Sequence, residues 1–186
     1  MSVQSVLENL LKSLVGPSGW RFETSGGGSV TVGTPVAHLG INAEGGAIYL
    51  FRDREHVRLI YGGVGCSAGL SLVPSPVNFS FAMTQMPSAG VVYRLPLAGR
   101  MLDRSELSGG CVFFDVSADG GPGASGSMMF IGGSTLFASA ASALSGGMGY
   151  LPALIASSNG VVFFGGMTAT LLPFNASASV YIGAIG

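Results

Sequence analysis

Charge is what this chain has least of. Of 186 residues only 8 are basic and 9 acidic, 9% together, against about 25% in ordinary soluble domains. The near-balance, net −1, leaves no basic surface for a phosphate backbone and argues against nucleic acid as a partner. The shortage is also uneven. The last ionisable side chain is Asp119, and the 67 residues 120–186 contain no Asp, Glu, Lys, Arg or His. Two cysteines, Cys66 and Cys111, and two histidines, His38 and His56, are too few and too far apart for a zinc centre, which needs four ligands at close spacing. Two readings fit the cysteines: buried free thiols, or a disulfide in an oxidising compartment. No stretch of about 20 strongly apolar residues exists, because Gly, Ser and Ala dilute every window, so an ordinary transmembrane helix is excluded. A cleavable signal peptide, basic residues followed by an unbroken apolar run, is also missing.

What remains is apolar and rich in glycine. Apolar residues make up 48%, mean hydropathy is +0.56 and 31 residues are Gly. That composition rules out a disordered tail, which needs low hydrophobicity and high charge. The glycines follow no G-X-Y period, so collagen is excluded too.

Residues 2–15 place Val3, Val6, Leu7, Leu10, Leu11, Leu14 and Val15 at helical spacing, and Gly16-Pro17 stops the run; this predicts an amphipathic helix. From Trp20 to Asp119 short strand-like runs alternate with turn-like linkers such as SGGG, EGG and RDRE. The expected strands are 20–24, 29–32, 36–42, 47–52, 57–61, 77–83, 91–95 and 111–116. In the uncharged half, 134–145 and 150–158 are rich in Ala and Leu and bounded by Gly146-Gly147 and Asn159-Gly160, which predicts a helical hairpin. Strand-like runs at 127–131, 161–164, 168–172 and 178–182 surround it. The expected fold is therefore α+β: a mainly antiparallel, Gly-rich β-sheet body with an N-terminal amphipathic helix and a short helical hairpin. It divides into the helix, 1–16, the β body, 17–119, and a charge-free segment of the same domain, 120–186, as the candidate for membrane insertion.

Catalytic patterns fail on context. Gly65-Cys66-Ser67-Ala68-Gly69 matches the G-x-S-x-G elbow, but both histidines precede Ser67 and the following LSLVPSP cannot open a helix. Gly63, Gly65 and Gly69 superficially form a dinucleotide loop, but prolines 74 and 76 follow where a helix N-terminus is required. No enzyme, cofactor or metal site is expected.

The uncharged stretches IGGSTLFASAASALSGGMG (131–149) and NGVVFFGGM (159–167) resemble the texture of the compact pore-forming effectors that bacteria deliver through contractile (type VI) secretion systems. A second resemblance, carried by SGGGSVTVG (25–33) and YGGVGCSAGLSL (61–72), is to SYLF-type lipid-binding domains. The first implies a toxin that inserts into a target membrane and collapses ion gradients. It would be cytoplasmic in the producing cell, without a cleavable signal, and exported by a non-classical route. Its implied partners are the lipid membrane, a carrier or immunity protein, and further copies of the chain within the membrane. The alternative is a noncatalytic lipid- or protein-binding module. Gly146, Gly147, Gly165 and Gly166 are the candidate close-packing or hinge positions, because glycine tolerates close backbone approach. Phe163, Phe164, Leu171 and Leu172 are the candidate inserting side chains.

Overall fold

A computed structural model describes residues 15–33, 37–71, 77–82, 89–95, 101–119, 122–132, 151–170 and 175–186. Ten strands run β1 Gly16–Pro17, β2 Arg21–Gly33, β3 Ala37–Arg52, β4 Glu55–Ser71, β5 Val77–Ala82, β6 Ala89–Arg94, β7 Gly109–Asp119, β8 Pro122–Ile131, β9 Gly160–Thr170 and β10 Asn175–Ile185. Among the described residues they are accompanied by one α-helix, α1, Leu151–Ser157, and a 3-10 turn at Arg104–Leu107.

The α+β expectation is overturned. Every strand pairing is antiparallel, and the pairings close on themselves: β2-β3-β4-β10-β7-β8-β9 in order, with β9 joined to β5 and β5 to β2. β5 and β6 pair with successive stretches of the same edge of β9, so together they form the eighth stave of a barrel. Closure matters because an open sheet of this size presents unpaired edges, whereas a closed one presents few.

Strand boundaries also differ from those the sequence suggests. Runs 20–24 and 29–32 are one strand, β2, passing straight through SGGG; 36–42 and 47–52 are joined through EGG in β3; and β4 continues through YGGVG to Ser71. The glycines read as turn signals sit inside strands because large side chains fill the space beside them. A Cβ on Gly46 would lie 2.8 Å from the Tyr61 hydroxyl and 2.8 Å from Gly27 Cα, and one on Gly27 would lie 2.7 Å from the same hydroxyl. The true turn is Asp53-Arg54, where Asp53 adopts a left-handed φ of 54°.

Of the expected helices, residues 1–14 lie outside the described residues, and Gly16-Pro17, expected to stop the first helix, forms a short strand that pairs with Arg94 and Tyr93 of β6. The first arm of the expected hairpin also lies outside them, while the second is α1. The charge-free segment contributes three staves, β8, β9 and β10, and β10 lies between β4 and β7 of the charged half.

Two apolar clusters hold the barrel. Inside, at the end where the Asp53 turn lies, Trp20, Ile48, Leu50, Leu59, Leu102, Leu107, Met129, Ile131 and Ile185 are buried together. Trp20 Nε1 donates to the Leu102 carbonyl at 2.8 Å, and the Arg52 guanidinium lies 4.4 Å from the Trp20 ring while donating to that carbonyl at 2.9 Å. Outside, Val112, Phe130 and Val161 are covered by Leu154 of α1 and by Leu95.

Candidate functional site

The inner and outer faces of the barrel reverse their chemistry along its length. Near the Trp20 end the interior is hydrocarbon. Towards the other end, alternate described residues of β2, β3, β4, β7, β8 and β10 turn polar or glycine inward and apolar outward. In β3, Asn42 is buried between outward-facing Ile41 and Ala43; in β4, Ser67 between Cys66 and Ala68; in β10, Ser179 beside Ala178. Ile41, Val64 and Val116 are 73%, 64% and 61% exposed, and Val30 and Val32 are exposed beside them. Such alternation suits an apolar surroundings outside and a polar lumen inside, the pattern of transmembrane barrels.

An aromatic layer separates the two halves of the interior. The Phe113 and Tyr181 rings stack at 4.5 Å, Tyr61 meets Phe113 edge-on at 5.4 Å, and Phe22 stacks on Phe164 at 6.0 Å. Resting on this layer is a polar cluster built by four strands. Tyr61 Oη donates to Glu44 Oε1 at 3.4 Å, Tyr181 also hydrogen-bonds the Glu44 carboxylate, and Asn42 Nδ2 donates to Tyr181 Oη at 2.8 Å. Asp115 of β7 accepts from Ser127 Oγ at 2.6 Å. Burial, then the charge of Asp115, pushes Glu44 up to about 7, against a partial offset from the two tyrosine bonds. Burial and the Glu44 carboxylate raise both tyrosines in turn. Asn42 Oδ1 and Ser67 Oγ are buried with no protein hydrogen-bond partner.

The distribution of charge gives the barrel a direction. Arg21, Glu23, Arg52–His56, Arg58, Arg94 and Asp103–Glu106 all belong to the Trp20 end, with ion pairs from Glu55 to Arg52 (3.4 Å) and Arg104 (3.8 Å). The connections that join the strands at the opposite end, 34–36, 72–76, 120–121 and 171–174, have the sequences TPV, LVPSP, GG and LLPF and carry no charge, although Asp119 and His38 stand at the adjoining ends of β7 and β3.

Of the candidates from sequence, Phe163, Phe164, Gly165 and Gly166 lie in β9. Phe164 faces the aromatic layer and Phe163 the outer cluster. Phe163 also lines an outer apolar groove of about 660 Å³ with Val91, Phe114, Val116 and Met128. A Cβ on Gly165 would lie 2.8 Å from the Ser125 carbonyl, a close approach between β9 and β8. Gly146, Gly147, Leu171 and Leu172 lie outside the described residues. Both cysteines are free, but only Cys111 is buried, its thiol pushed up to about 12 by burial; Cys66 is exposed on the outer face. Ser67 faces the lumen, whereas His56, eleven residues away on the same strand, is exposed beside Glu23 at 3.4 Å, so the strand rise keeps the two roughly 35 Å apart. Glu44, Asn42, Asp115, Tyr61 and Tyr181 were not among the expected residues. Their signal is the alternation of INAE, CSA and SASVY, which places every second residue on the inner face.

A curated relative, the toxin protein Tse4 of Pseudomonas aeruginosa PAO1, is 30% identical over 189 aligned positions, covering 90% of this chain and 93% of Tse4. The chain belongs to the Tse4 toxin family. No family model and no solved structure matches it, and the SYLF-type resemblance finds no support among these comparisons. Membership of the Tse4 family agrees with the toxin expectation; how the barrel acts is argued next from its surfaces.

Proposed function

We propose that this member of the Tse4 family is a pore-forming effector that enters a target membrane as a β-barrel and dissipates ion gradients, acting as no enzyme and needing no cofactor. One observation carries the reading: beyond the aromatic layer, the outward positions described in β2, β3, β4, β7, β8 and β10 are apolar and the inward positions polar or glycine. Lengths agree with it. β7, β8, β9 and β10 have 10 or 11 residues in all, the length of about 9–11 tilted residues that crosses a hydrocarbon core, and full spanning requires α1 to leave the outer face over Val112, Phe130 and Val161. That no described helix is long and apolar enough to span leaves this argument untouched, since barrels cross with strands.

The outer face also supplies the driving force. Val30, Val32, Ile41, Val64 and Val116 are partly open to water, and moving them into hydrocarbon is worth on the order of 5 kcal/mol together. The connections at the end that must cross carry no charge, and Asp119 of β7 and His38 of β3 are the ionisable residues at the strand ends there, so insertion with that end leading carries few charges across while the more heavily charged Trp20 end stays on the side of entry. Delivery by a non-classical route, through a contractile secretion machine, fits a toxin that meets its membrane from outside the producer.

Cys66 provides the test. It is the exposed thiol on the outer face, and Cys111 is buried, so a water-soluble maleimide labels Cys66 in buffer. Adding anionic vesicles loaded with potassium should release the ion and protect Cys66 together. Leakage with Cys66 still labelled at its rate in buffer would remove the barrel wall from the mechanism, and no leakage would remove pore formation.

A further inference from the structure

We propose that two arginine–aromatic pairs on the outer face, Arg58 with Tyr49 and Arg21 with Phe51, form a docking patch for the phosphate headgroups of an anionic lipid surface, and that this patch marks how far the barrel enters. Its depth rests on the pore reading given above; its attraction to headgroups does not.

Register makes the patch. Ile48 and Leu50 of β3 and Val57 and Leu59 of β4 are buried inside, so Tyr49 and Arg58 between them turn outward, facing each other across the two strands. One row nearer the Asp53 turn, Arg21 of β2, Phe51 of β3 and His56 of β4 are aligned in the same way. The Arg58 guanidinium carbon lies 5.9 Å from the Tyr49 ring centroid, and that of Arg21 lies 5.9 Å from the Phe51 centroid, both within cation–π range.

Both arginines are available to an outside anion. Arg52 and Arg104 are held by Glu55, but neither Arg21 nor Arg58 makes an ion pair among the described residues, and both are exposed. Glu23, the carboxylate of β2, lies against His56 at 3.4 Å rather than against either of them. A guanidinium resting on a ring keeps its N–H edge for bidentate bonds, which a phosphate accepts.

Charge on this face ends at the same row. Beyond Arg58, β4 runs to Ser71 with no Asp, Glu, Lys, Arg or His, and its described outward residues are Ile60, Gly62, Val64, Cys66 and Ala68. Beyond Tyr49, the described outward residues of β3 are Ala47, Gly45, Ala43 and Ile41. At about 3.3 Å per residue and a tilt near 45°, the stretch from Arg58 to Ser71 spans roughly 30 Å, the thickness of a hydrocarbon core. With the uncharged end at the far side, the Arg58 row therefore lies at the level of the near phosphates, where barrels carry their aromatic girdle.

The purified chain should partition onto vesicles of equimolar phosphatidylglycerol and phosphatidylcholine more tightly than onto phosphatidylcholine alone. Arg58→Gln and Arg21→Gln should each weaken the first about fivefold and leave the second unchanged. Arg104→Gln changes net charge equally but removes an arginine already paired with Glu55, and should weaken binding less than about twofold. Millimolar inorganic phosphate at fixed ionic strength should displace nothing. In a Cys66→Ser background, His56→Cys should stay open to a water-soluble maleimide on vesicles that protect Cys66 in the wild type. These side chains are exposed, so thermal unfolding should show every variant native. No preference for the anionic vesicles, or unchanged partitioning of Arg21→Gln and Arg58→Gln, overturns the patch. An equal loss in Arg104→Gln overturns it by reducing it to net charge, and displacement by inorganic phosphate overturns the membrane as its partner. Protection of His56→Cys as complete as that of Cys66 overturns the depth. Arginine-dependent binding without potassium release overturns the pore reading and leaves the patch standing.

Discussion

A lysine placed at Val64 should abolish membrane activity while leaving the fold intact. Val64 projects from β4 with 64% of its surface exposed, so in water the new ammonium is solvated and stability should change by no more than about 0.5 kcal/mol. In a bilayer the same position lies well along the wall from the charged end. A lysine near the midplane of a barrel wall costs about 2–4 kcal/mol, falling to about 0–1 near the interface, so vesicle activity should drop by a factor of about 30 to 800. Met101 is the control. It is exposed to a similar degree but belongs to the connection that caps the Trp20 end, where the barrel stays at or outside the interface, and Met101→Lys should change leakage less than about fivefold. The assay is potassium release at matched folded fraction, with thermal unfolding confirming that both variants are native. Equal leakage from Val64→Lys and the wild type would show that this face never meets lipid. Equal loss in both variants would show that the charge acts through binding at the surface rather than through depth in the wall.

Three further outcomes follow from the geometry. Because Glu44 is held near 7 in the folded chain against about 4.5 unfolded, the folded state binds the extra proton between those values. Stability should therefore fall as pH rises through that window, by about 3 kcal/mol in all, and denaturant titrations of Glu44→Gln should show no such fall. Gly46→Val should destabilise by about 1–3 kcal/mol or more, since its Cβ meets the Tyr61 hydroxyl and Gly27; unchanged thermal stability would refute the packing account of the strand glycines. Trp20→Ala should lose about 3–5 kcal/mol, because the ring is buried, donates to Leu102 and carries Arg52 on its face; calorimetry checks this.

The sequence by itself determined the material of this protein. Its charge-free half, its glycine content and the absence of an apolar run long enough for a spanning helix follow from counting and spacing alone, and most strand cores fell where β-branched and aromatic residues cluster, as at 77–83 and 111–116. Chain continuity through the glycines was not legible, because SGGG and EGG are equally good turns and equally good strand positions. The choice depends on whether a large ring lies across the sheet to fill the missing Cβ, and Tyr61 does so from another strand. The polar lumen was half legible. INAE and SASVY show alternation, yet alternation names two faces without saying which is inside, and only closure of β9 onto both β8 and β5 made one face a lumen. Glu44 and Asp115 stand 71 positions apart in the chain; their coupling exists only because β10 and β4 bring β7 to β3. Burial and proximity, which set the proton affinity of Glu44, are properties of that closure and of nothing local to the residue.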